Sequence, residues 1–123
     1  MTEKTRPKPE PSQVSQTKDT QSRPWYLYLL GCADGTTYTG ITTDPRRRLK
    51  EHNAGRGARY TAQSQRRPVH LLGVWCFPDQ ASATRAEVRF KRRRPKRKRQ
   101  LAATRTPFEG APFCPEFSSA ALS

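Results

Sequence analysis

Acidic residues are scarce in this chain: 10 Asp and Glu stand against 24 Lys and Arg in 123 residues, a formal net charge of +14. That imbalance makes a polyanion the default partner, because phosphate contacts from Lys and Arg release condensed counterions and drive binding. Long apolar runs are missing as well. None approaches the ~20 residues that would span a bilayer, so no membrane partner is expected. The first residues are polar throughout, which argues against a secretory signal. Cysteine is sparse: Cys32, Cys76 and Cys114 are odd in number and lack zinc-ligand spacing. Reduced thiols in a cytoplasmic protein are the simplest account. The length leaves room for one small domain, and a monomer is expected.

What remains falls into three parts. Residues 1–24 are rich in Pro, Ser, Thr, Gln and Lys, with Val14 the one large aliphatic residue past Met1. Such a segment buries too little apolar surface to offset its chain entropy and reads as a disordered tail. Residues 25–105 carry a compact pattern, the candidate domain. Residues 106–123 interleave Pro107, Pro112 and Pro115 with Phe108, Phe113 and Phe117. This last stretch is too broken for a long element. Its phenylalanines either pack back on the domain or stay loose.

Within the domain, residues 25–31 and 36–42 are aromatic and β-branched, and Asp34-Gly35 between them signals a hairpin. Asp44 then offers an N-cap with Pro45 at the first helical position, predicting a helix to about Asn53 that Gly55 ends. Residues 54–67 read as a basic loop. Val69 to Phe77 form a third strand, apolar enough to be the central one. Asp79 caps a second helix with Ala83, Ala86 and Phe90 as its apolar stripe. Pro95 ends or kinks that helix and can start a third through Leu101 and Ala102. The order is ββαβαα, an α+β fold with a three-stranded, mainly antiparallel sheet flanked by helices.

Strand geometry then tests whether Tyr28 and Tyr38 can cooperate, since side chains alternate faces along a strand. A two-residue loop at Asp34-Gly35 pairs Gly31 with Tyr38 and sends the two phenols to opposite faces. A three-residue loop at Ala33-Asp34-Gly35 pairs Leu30 with Tyr38 and puts both on one face. That loop wants a left-handed last residue, and Gly35 supplies it. Arg48 and His52, at i and i+4, share a face of the helix that follows. Taken alone, Arg46, Arg47, Arg48 and Lys50 read equally as a basic helix lying on a phosphate backbone, and His52 as a helix-end histidine in solvent. From Arg85 to Arg99 there are ten Lys or Arg and one acid, Glu87. Glu87 is either an ion-pair partner of Lys91 or a lone carboxylate for a hard cation such as Mg²⁺, which one carboxylate and waters can hold.

These residues resemble the GIY-YIG nucleases. The family's first signature triplet is similar to Tyr26-Leu27-Tyr28 and its second to Tyr38-Thr39-Gly40; Arg48, Leu49 and His52 resemble its first helix, and Arg85-Ala86-Glu87 its glutamate helix. The likeness covers Trp25 to Ala103 and is greatest to small, stand-alone bacterial members. The first triplet departs from Gly-Ile-Tyr but keeps Tyr28. The late asparagine of many members has no counterpart, and Lys91 to Arg99 is more basic than is usual. The resemblance implies a metal-dependent endonuclease hydrolysing phosphodiesters of DNA, directed by structure rather than sequence, in repair or recombination. It implies one Mg²⁺ or Mn²⁺ on Glu87, Tyr28 as general base with its pKa lowered by nearby cations, Arg48 stabilising the phosphorane, and Tyr38 and His52 orienting water or phosphate. Arg46, Arg47, Lys50, Arg56, Arg59, Tyr60, Arg66, Arg67, Arg89, Lys91, Arg92 and Arg93 would grip the backbone. The alternative is a non-catalytic binder of DNA or RNA that keeps the fold for its basic surface.

Overall fold

The computed structural model describes residues 23–117; the N-terminal segment through residue 22 and the last six residues lie outside the described part. Strands β1 (Trp25–Gly31) and β2 (Thr37–Thr42) form the hairpin, followed by α1 (Pro45–Asn53) and α2 (Arg59–Ala62). Then come β3 (His70–Phe77), α3 (Gln80–Lys91) and α4 (Pro95–Ala103), with a last 3₁₀ turn at Pro115–Phe117. The sheet order is β2-β1-β3 and both pairings are antiparallel. Among the described residues no helix is long and apolar enough to cross a membrane.

The hairpin takes the three-residue turn. Cys32 N–H donates to the Thr36 carbonyl at 2.9 Å, Gly35 has φ +88°, and Leu30 pairs with Tyr38. Asp34 locks the turn by accepting from the Thr36 amide and hydroxyl. Helix starts follow the caps: Asp44 accepts from Arg47 N–H, and Asp79 from Ser82 N–H, so each satisfies an amide that would lack a helical partner.

Two expectations change. The central strand is β1, not β3: five consecutive β1 residues from Leu27 to Gly31 are buried, so both of its faces are covered. Strand β3 is apolar because its outer edge is covered too, by the C-terminal segment. Cys76 N–H donates to the Pro112 carbonyl, and Cys114 N–H to that of Val74. The basic loop at 54–67 is partly helical, folding into α2 and a 3₁₀ turn at Ser64–Arg66.

Side chains of Leu27, Leu29, Trp75 and Phe77 meet Ala83, Ala86 and Phe90 of α3 and Leu101 of α4 in one core. On the second core lie Tyr28, Leu30, Leu71 and Val74, with Leu49 of α1 packed against them. Of the two alternatives for the C-terminal phenylalanines, packing is realised. Phe108 sits edge-on to Phe90 with ring centroids 5.1 Å apart, Phe113 sits against Trp75, and Phe117 joins the second core. The Trp75 indole N–H donates to the Thr106 carbonyl at 2.8 Å, fastening the start of this segment. Large-to-small truncation of such a ring forfeits its burial and leaves a cavity. Phe108→Ala should therefore lower unfolding stability by about 3–5 kcal/mol in urea titration. An unchanged midpoint would show that residues past Ala103 are dispensable for the core.

Candidate active site

Four elements deliver side chains to one spot. Tyr28 comes from β1, Tyr38 from β2, Arg48 and His52 from α1, and Tyr60 and Thr61 from α2. The Tyr28 and Tyr38 rings lie 6.4 Å apart, and the His52 ring is 5.7 Å from the first and 5.2 Å from the second. Tyr60 stacks on Tyr38 at 5.9 Å, and the Arg66 guanidinium covers Tyr60 at 3.7 Å from its centroid. Beneath the rings runs a buried polar chain. Tyr28 Oη is 2.8 Å from His52 Nε2, and His52 Nδ1 is 2.6 Å from Thr61 Oγ1. His52 is fully buried, so it is no solvent-facing helix-end residue.

Gly40 makes room for this arrangement. It pairs with Tyr28 across the hairpin, and a Cβ there would stand 2.5 Å from the phenol oxygen and 2.7 Å from Cζ. The phenol thus lies over the β2 backbone. Arg48 reaches the same corner, held by Glu51 at 2.8 Å and by the Gly57 carbonyl at 2.7 Å.

The expectation that cations lower the Tyr28 pKa is overturned. Burial pushes it up to about 12, outweighing the opposing hydrogen bond and charge of Arg48, while Tyr38 and Glu87 add to the rise. A phenol moved out of water loses the solvation of its anion, and one partly solvent-facing guanidinium does not restore it. Tyr28 is therefore a neutral hydroxyl in the folded protein. Burial also drives the His52 pKa down to about 4, helped by the Arg48 charge and opposed by Glu51.

Glu87 sits on α3, close enough to Tyr28 for its charge to be felt by the phenol. Its carboxylate is mostly covered and pairs with Lys91 at 3.3 Å. No group of three or more His, Cys, Asp or Glu that could hold a metal ion is found among the described residues. A cation here would have one protein carboxylate and would draw its remaining ligands from water and substrate oxygens, which suits a hard ion such as Mg²⁺.

The basic residues divide into two groups. Arg46 donates to the Glu116 carbonyl and lies over Phe117, and Arg47 pairs with Glu51. Arg66 binds Asp34 and the Tyr60 carbonyl; Arg67 binds the Asn53 and Ala62 carbonyls. Arg89 pairs with Glu109 at 2.6 Å, and Arg93 lies over Phe108. These guanidiniums are partly spent on the fold. Lys50, Arg56, Arg59 and Arg92 are exposed and make no ion pair among the described residues. Sequence reasoning missed Thr61, Gly57 and the steric role of Gly40. A short helix hidden in a basic loop gives no periodic signal for Thr61, whereas Gly40 stood inside the second triplet.

Two outcomes follow from this geometry. Gly40→Ala should displace the Tyr28 ring and lengthen its bond to His52, with the hairpin register kept; an altered Tyr28 environment by NMR beside unchanged β1–β2 contacts would show it. The His52 shift carries a pH signature. An unfolded histidine protonates near 6.5, the folded one near 4. Between these values the unfolded state binds more protons, so stability falls as pH drops through this window and the contribution is complete above it. At about 1.4 kcal/mol per pKa unit the loss reaches ~3 kcal/mol. His52→Gln should flatten that part of the stability profile, read by urea unfolding across the window.

Comparison with known proteins gives the site its setting. The sequence model of the GIY-YIG catalytic domain matches residues 24–100. A UPF0213 protein of Enterococcus faecalis is 47% identical over 79 residues, covering 64% of this chain and 90% of the relative. Another, from Desulfotalea psychrophila, is 40% identical over 104 residues, covering 84% of this chain and 93% of its own length. A solution structure of an E. faecalis protein shares 44% identity, with a TM-score of 0.48 over 69% of this chain and 88% of that one. With the catalytic-domain match spanning more than half of its length, the chain belongs to the GIY-YIG family, a nuclease family whose domain takes nucleic acid as substrate.

Proposed function

We propose that this protein is a metal-dependent endonuclease-type phosphodiesterase of DNA, directed by structure rather than sequence, that acts as a cytoplasmic monomer in repair or recombination. The observation that carries this reading is the buried Tyr28–His52 pair, 2.8 Å apart, with Arg48 beside the phenol and Glu87 close by. A hydroxyl hydrogen-bonded to a neutral imidazole beside a guanidinium and a carboxylate is equipped for proton transfer.

In the proposed step, water attacks phosphorus as Tyr28 Oη accepts one of its protons and passes its own toward His52 Nε2. The new P–O bond forms from the water oxygen, and the bond to the leaving oxygen breaks. Tyr28 acts as a neutral relay here rather than as a resting phenolate, consistent with a pKa of about 12. The negative charge of an entering phosphodiester raises the basicity of the depressed imidazole. Arg48, fixed by Glu51 and the Gly57 carbonyl, faces the charge that builds on the phosphorane. Mg²⁺ or Mn²⁺ held by Glu87 would supply Lewis-acid polarisation of the phosphate and stabilise the leaving oxygen. Tyr38, held between Tyr60 and His52, forms a wall that orients the phosphate. The exposed cations Lys50, Arg56, Arg59 and Arg92, with Lys91, would bind flanking phosphates.

One observation favours a second reading, a non-catalytic DNA or RNA binder: Glu87 already pairs with Lys91 at 3.3 Å. Glu87→Gln separates the two. It keeps shape and hydrogen bonding but removes the charge that holds the ion. Labelled branched, single- and double-stranded DNA and RNA would be incubated with each protein in Mg²⁺ or EDTA. The nuclease reading expects Mg²⁺-dependent cleavage that drops by orders of magnitude in the variant, with metal-free DNA binding unchanged or slightly tighter. Cleavage by the variant at the wild-type rate, or none by the wild type, would reject it.

A further inference from the structure

His52 and Thr61 are both fully buried, so neither side chain can exchange hydrogen bonds with water. The neutral imidazole has one N–H, hence one nitrogen donates and the other accepts. Its two partners are Tyr28 Oη at Nε2 and Thr61 Oγ1 at Nδ1. The hydrogens can run in either direction along this chain, and the direction decides whether Nε2 can receive a proton.

The surroundings of each end settle the direction. Thr61 Oγ1 has a second partner, the Ala58 carbonyl at 3.3 Å, which can only accept. At the other end the Tyr28 hydroxyl has one hydrogen-bond partner among the described residues, His52 Nε2, while the Arg48 guanidinium is engaged by Glu51 and the Gly57 carbonyl. If Nε2 donated to Tyr28, the phenol's own proton would have no acceptor in this network. If Thr61 donates to Ala58, every group is satisfied: Tyr28 O–H to Nε2, Nδ1–H to Thr61, and Thr61 O–H to Ala58. A buried donor left without an acceptor loses its solvation with no return, which selects the second arrangement.

We propose that Thr61 is a positioning residue that holds His52 in the Nδ1–H tautomer, leaving Nε2 bare toward Tyr28. It touches no reacting atom; it acts through the ring. Gly57 lies beside the same ring, and a Cβ there would overlap Nδ1 and Cγ, so the absence of a side chain at 57 is what lets the imidazole sit in this place. The consequence for catalysis rests on the nuclease reading, because only a bare Nε2 can take the proton that Tyr28 gives up. The tautomer itself does not depend on that reading.

The test reads the ring directly. The chain has two histidines, so His70→Gln, at an exposed position outside the site, assigns the His52 signals. Long-range ¹H–¹⁵N correlation on the labelled protein should show a bare Nε2 and a protonated Nδ1. Thr61→Val, nearly isosteric, should move the ring proton at least partly to Nε2 and cut the cleavage rate by roughly 100-fold or more. Thr61→Ser should restore both. A wild-type ring protonated on Nε2 overturns the proposal, as does an unchanged tautomer in folded Thr61→Val. Should the valine variant fail to fold, the wild-type and serine spectra still decide. A bare Nε2 in a protein that cuts no nucleic acid upholds the tautomer assignment and rejects the nuclease reading.

Discussion

The register of the β1–β2 hairpin is the constraint through which everything at the site is arranged. With Leu30 opposite Tyr38, both phenols stand on the face that α1 covers, and Gly40 falls directly under the Tyr28 ring. A slip of one residue would turn Tyr38 to the other face and place a different side chain in Gly40's position. The turn that sets the register depends on Gly35 in the left-handed region and on Asp34, which binds Thr36 locally and Arg66 across the loop. That last contact ties the turn to the segment carrying Tyr60 and Thr61. One turn therefore positions residues from both sides of the site.

Burial, more than charge, governs the chemistry of the central pair. A field of arginines surrounds the site, and it is natural to expect a phenol there to ionise easily. Yet the Tyr28 hydroxyl lies over a strand and against a buried imidazole, where its anion would lose solvation that no single guanidinium replaces. The same loss of solvent keeps His52 neutral. Two neutral groups in contact are suited to passing a proton at the moment charge develops, rather than to storing a charge beforehand.

The cations show a related division of labour. Three on α1 and the following loop are committed: Arg48 to Glu51 and Gly57, Arg66 to Asp34 and Tyr60, Arg67 to Asn53 and Ala62. Their charge contributes to the field while their hydrogen bonds hold the fold. The run after α3 is different, since Arg92, Arg94 and Lys96 are exposed without acidic partners among the described residues. Exposed, unpaired cations thus stand both there and at Lys50, Arg56 and Arg59, while Arg48, Arg66 and Arg67 serve positioning.

Local rules carried much of the fold in the sequence itself. Asp44-Pro45 and Asp79 mark helix starts through their caps, Ala83, Ala86 and Phe90 mark a buried face by spacing, and Ala33-Asp34-Gly35 selects a turn and with it the strand register. The i, i+4 spacing of Arg48 and His52 likewise places them on one face. Each of these depends on neighbours within a few residues, so the chain determines them before it folds. Three matters were decided only by tertiary structure. The strand order depends on which faces the helices and C-terminal phenylalanines cover, and proline content alone does not reveal that Phe108 and Phe117 complete the cores. The upward shift of Tyr28 depends on its burial in the assembled fold. The link from His52 to Thr61 joins a regular helix to a short one inside a basic loop, where no periodicity announces it. Burial and hydrogen-bond closure are properties of the assembled molecule, because both require groups distant in sequence to exclude water together.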